Sequence, residues 1–164
     1  MTPAKSGKRV WSERLSAPLL SPRLFLLWLP LPLLVFAATT RAADKEIEKS
    51  LRLIGNSAVT YTQKRKCFSC HHQALPAMTL VLAQRKKFKI DASALQAVTT
   101  FTHGYFDRRR KSVAAGKGVP GGAYTAGYAM LALSLGKQSH NATTDALVSY
   151  LYQLQKPDGS WRIR

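Results

Sequence analysis

The sequence predicts an all-α fold made of helix hairpins. Apolar residues recur at steps of three and four in several segments, and none sustains the period-two alternation of a half-buried strand. Connections between those segments are short and marked by Gly, Pro, Asn or Asp.

Taken in order, residues 1–42 read as a cleavable secretory signal. Residues 24–38 are almost wholly apolar, Lys5, Lys8, Arg9, Arg14 and Arg23 precede them, and small residues follow, with Ala42 the expected residue before the cut. The apolar run is shorter than the roughly 20 residues a spanning helix needs, and Pro30 and Pro32 interrupt it. The remaining residues, 43–164, are enough for one domain with its own core.

From Asp44, Ile47, Leu51, Ile54, Ala58 and Tyr61 mark one face of a first helix. Residues 67–73 are polar and irregular. A second helix over 74–85 tolerates Pro76 in its first turn. Asp91 caps a third, carrying Leu95, Val98, Phe101 and Tyr105. Residues 116–122, with four glycines and Pro120, form a loop. A fourth helix runs from about Tyr124 to Leu135 and stops at Gly136. Asn141 or Thr143 caps a fifth, with Leu147, Tyr150, Leu151 and Leu154 inward, ending before Pro157.

The net charge is +17; removing six basic residues and one acid with the leader leaves 19 bases against seven acids, or +12. Such an excess suits an acidic partner protein or an anionic membrane surface, and export argues against nucleic acid. The bases lie in three runs, 64–66, 85–87 and 108–111, each at an expected helix end, where cations also offset the helix dipole.

Ala74, Ala77, Met78, Ala94 and Leu95 recur as Ala126, Ala129, Met130, Ala146 and Leu147, at a constant spacing of 52, which suggests two copies of one hairpin. The tail then carries Gln155, Gly159 and Trp161. This spacing resembles the Q-x-x-x-G-x-W repeat of squalene and hopene cyclases and related α/α-toroid proteins, over roughly residues 74–161. The resemblance implies a partial toroid in which the Gln caps a neighbouring helix end and stacks on the Trp. It also implies that the chain is a fragment or that another protein completes the arc. The acidic D-x-D-D cluster that the cyclases use is missing, so terpene cyclase chemistry is disfavoured.

The pattern richest in chemistry is Cys67-Phe68-Ser69-Cys70-His71, the C-x-x-C-H spacing of c-type haem attachment. Two thiols three positions apart reach the two vinyl groups of one haem, and the next imidazole meets its iron. Cys67 and Cys70 are therefore the expected thioether residues, with haem c the cofactor and His71 the proximal ligand. They are the protein's two cysteines, and haem c attachment outside the cytoplasm agrees with the export signal. Locally the stretch resembles c-type cytochromes, although the surrounding helices do not reproduce a small cytochrome core. A disulfide, a zinc site using His72, or a helix terminus without a cofactor are the competing readings.

Met130 and His103 are the candidates for a second axial ligand, and an open sixth position is the alternative. Met78 and His72 follow His71 too closely to reach the opposite haem face. His140 reads as a solvated loop residue, and Asn141-Ala-Thr143 fits an N-glycosylation acceptor. The expected role is electron transfer or haem-dependent docking. The alternative is a non-haem toroid-repeat enzyme or lipid-binding domain in which Tyr124, Tyr128, Tyr150 and Trp161 line an apolar pocket.

Overall fold

Six helices, and no strands, occur among the residues that the computed structural model describes, 30–162: α1 (Pro30–Lys64), α2 (Ala74–Arg85), α3 (Ala92–Asp107), α4 (Arg110–Ala114), α5 (Gly122–Leu135) and α6 (Ala142–Leu154). The all-α expectation holds. Residues 1–29, most of the expected signal segment, lie outside the described residues. No described helix is long and apolar enough to cross a membrane.

The first helix, expected from Asp44, extends N-terminal of it to Pro30, the first described residue. Pro30 and Pro32 both lie within helical backbone. The fourth helix begins at Gly122, two residues before Tyr124. The five-residue α4 is an element the periodicity does not reveal: it carries one buried apolar residue, Val113, which packs the turn onto α6.

Side-chain caps start α3 and α6. The Asp91 carboxylate accepts the Ser93 N–H at 2.8 Å and starts α3. Asn141, not Thr143, caps α6: its side chain accepts the N–H groups of Thr143 (2.9 Å) and Thr144 (3.3 Å), and the Thr144 hydroxyl accepts the Asn141 N–H at 2.9 Å. The basic runs do fall at helix ends, with Lys64 closing α1, Arg85 closing α2 and Arg108 capping α3.

The hairpins α2–α3 and α5–α6 turn in the same way. Lys87 and Lys137 both adopt left-handed backbone (φ 65° and 55°), and the next N–H returns to the helix, Phe88 to Ala83 at 3.0 Å and Gln138 to Leu133 at 2.9 Å. These pairs, like the caps Asp91 and Asn141, are 50 positions apart, so the structural register of the turns is 50 rather than 52. The alanine identities at 52 join residues that are all buried, without sharing a place in the turn.

Within residues 41–164, α5 lies against α2, α3 and α6. Its buried face is made of Ala123, Ala126, Ala129, Ala132 and Leu133, small side chains that let three neighbours approach closely. The main core gathers Tyr105, Phe106, Val113, Leu133, Leu147 and Tyr150. A smaller cluster of Ala58, Ala77 and Val98 joins α1, α2 and α3. Of the apolar face expected on α1, Leu51 and Ala58 are buried, whereas Ile47 is exposed.

Gly136 ends α5 with ordinary backbone angles (φ −78°, ψ 7°), yet a Cβ there would run into the Thr99 side chain of α3. Thr99 is itself buried and held by its hydroxyl donating to the Leu95 carbonyl at 2.8 Å. Gly136→Ala is therefore expected to cost about 1–3 kcal/mol through overpacking, read as a lower urea midpoint at unchanged slope. A neutral result would show that α3 can retreat.

Candidate functional site

The segment between α1 and α2 is fixed by its backbone before its side chains are considered. Ser69 O accepts the N–H groups of His72 (3.1 Å) and Gln73 (2.9 Å), and Cys70 O accepts that of Leu75 at 2.9 Å. The turn therefore runs directly into the first residues of α2. Phe68 supplies its anchor: it packs edge-on to Phe106 (centroids 5.4 Å apart, planes at 64°) and lies beside Tyr105 at 6.4 Å. With Phe68 turned into the core, Cys67 is left exposed and Cys70 half-buried, and both are free thiols.

Each thiol has a tyrosine beside it. Tyr61 Oη, from the last turns of α1, is 3.2 Å from Cys67 Sγ, and this hydrogen bond is the main reason that the Tyr61 phenol titrates above its ordinary value. On the other side, the Tyr128 hydroxyl and then the Cys70 thiol favour the protonated Tyr124 phenol and push it up to about 12. Tyr124 and Tyr128 meet edge to face at 4.7 Å.

His71 is exposed, with Nδ1 3.4 Å from Cys70 Sγ. His72 points elsewhere: its ring stacks on Tyr61 (4.2 Å, 14° between planes) and its Nδ1 is 3.3 Å from Ser69 Oγ. Beneath the turn, Gln73 is fully buried. Its carboxamide oxygen accepts the Ser69 N–H at 2.6 Å, while Nε2 has no partner among the described residues. Among the described residues, no three His, Cys, Asp or Glu side chains converge as a metal cage.

Met130 packs from α5 against the same core cluster as Phe68. His103 is half-buried on α3, with no hydrogen bond among the described residues. Met78 is exposed on α2. His140 is not merely solvated, since its Nε2 lies 2.6 Å from Asp145 Oδ1. Tyr124 and Trp161 share a shallow apolar cavity of about 320 Å3 with Leu151, but Tyr150 lines a different one, so the four aromatic residues do not make one pocket.

The tail residues bond within their own segment. Gln155 Nε2 donates to the Gly159 carbonyl at 2.9 Å, and Trp161 Nε1 donates to Leu151 O at 2.7 Å, closing the end of α6. Comparison with family models, characterised proteins and solved structures finds no match for this chain.

Tyr61, Gln73 and Tyr124 are the site residues that motif spacing does not reveal. A raised phenol pKa means that the fold prefers the protonated ring. The associated stabilisation is complete below the ordinary phenol value near 10 and is lost as pH rises through about 12. Alkaline difference absorbance should thus find Tyr124 titrating last, near 12, and Tyr128→Phe should move that midpoint back toward 10. An unmoved midpoint would remove Tyr128 as the cause.

Proposed function

We propose that this protein is an exported c-type haem protein that carries electrons or docks through its haem. The observation that carries the reading is the pair of unbridged thiols three positions apart, followed by an exposed imidazole, on a turn anchored through Phe68. That donor set suits the group: Cys67 and Cys70 would hold it through two thioether bonds, and His71 would ligate its iron. A haem held this way supplies a one-electron iron couple.

The chain's own residues do the rest. Phe68, locked against Phe106, keeps the turn from folding its thiols inward. Tyr61 and Tyr124 stand beside the two sulfur atoms and pack polar-tipped aromatic edges around the attachment points. The ring of His72 is engaged by Tyr61, which leaves the His71 imidazole as the one to meet iron. Met130 and His103 are the second-ligand candidates. The expected partner is an acidic redox protein or an anionic membrane, attracted by the net +12 charge that remains without the leader.

Production with a haem c maturation system tests this reading. A Soret band that stays with the polypeptide through acid-acetone extraction is expected. Colourless protein from a host that matures other c-type cytochromes would contradict it.

A further inference from the structure

We propose that a second site, at the start of α5, binds a phosphate group carried on a partly apolar molecule. A cavity of about 530 Å3 opens there, between the 116–122 loop and the end of α6. Three cations line it, Lys117, Lys156 and Arg162, and no acidic side chain does. It shares no lining residue with the Cys67–His71 turn.

The backbone there is shaped for an anion. Gly121 and Gly122 are both left-handed (φ 86° and 54°), and no side chain caps α5. The N–H groups of Gly122 and Thr125 are used by Val119 O and Gly121 O, whereas those of Ala123 and Tyr124 have no backbone acceptor among the described residues. Free amides at the positive end of a 14-residue helix attract an oxyanion.

Tyr150 points to the ligand independently. It is 4% exposed and lines the cavity, and its hydroxyl abuts Gly118, where any Cβ would collide with it. That hydroxyl faces the cavity and makes no hydrogen bond among the described residues. A phosphate oxygen held among Lys117, Arg162 and the α5 amides would accept a hydrogen bond from it. Val119 and Leu154 make the remaining wall apolar, which suits a ligand with a non-polar portion.

The test uses the whole protein and two probes, inorganic phosphate at constant ionic strength and vesicles of phosphatidylcholine with or without phosphatidylglycerol. The expected result is a saturable rise in melting temperature with phosphate that chloride does not reproduce. Arg162→Ala and Lys117→Ala should weaken it, and Arg85→Ala, outside the cavity, should not. Tyr150→Phe should leave the phosphate-free melting temperature unchanged and weaken phosphate about tenfold. Phosphate binding without vesicle binding identifies a soluble phosphate ester. Binding only to phosphatidylglycerol vesicles, lost in Arg162→Ala, identifies a lipid headgroup. A melting temperature that follows ionic strength alone with no vesicle binding, or equal effects of Arg85→Ala and Arg162→Ala, overturns the site.

Discussion

Replacing Phe106 by alanine is expected to destabilise the protein by about 3–5 kcal/mol, a large share of the roughly 5–15 kcal/mol available to a domain. The ring is 1% exposed and meets Tyr105 edge-on at 4.9 Å and Phe68 at 5.4 Å. Its removal opens a cavity between α3 and the turn before α2, and the backbone on both sides is tied by helix hydrogen bonds, so collapse into the void is incomplete. Phe68 loses the partner that holds it, and Cys67 and Cys70 should become more mobile along with it. Urea denaturation reads the first effect; faster alkylation of Cys70 in the apoprotein reads the second. A loss under about 1 kcal/mol would mean that Phe68 and Tyr105 close the gap.

The largest functional effect is expected from the cysteines. Cys67→Ser with Cys70→Ser should abolish covalent haem, because no other thiol exists in the sequence to replace either bond. Each single variant should keep at most one thioether and show a reduced haem stain after denaturing electrophoresis. Both side chains lie outside the fully buried core, so the serine variants should fold with nearly unchanged stability. Haem still covalently present in the double variant would rule out these sulfur atoms as the attachment points.

Local signals explain why much of the fold is legible in the sequence. Asp91 and Asn141 cap the helices that follow them through their own side chains, and Gly136 stands where α5 stops. What escapes is what neighbours decide. The turn α4 exists because one residue, Val113, finds a place on α6, and a single apolar residue has no period. Alanine identities at a spacing of 52 join buried residues, while the turns repeat at 50.

The site divides along the same line. Cys67, Cys70 and His71 stand out because their chemistry requires fixed spacing along the chain. Tyr61 comes six residues earlier and Tyr124 more than fifty later, and each reaches a thiol only through folding. Gln73, polar and adjacent to the motif, is unmarked by any pattern although it is wholly buried beneath the turn.

The intact mass of the exported, matured polypeptide is the most direct measurement. Two thioethers predict the chain plus one complete haem, retained after unfolding and treatment with reductant. The bare chain mass, or that mass less two hydrogens restored by reductant, would contradict the account, the latter because a Cys67–Cys70 disulfide would have taken the place of the haem.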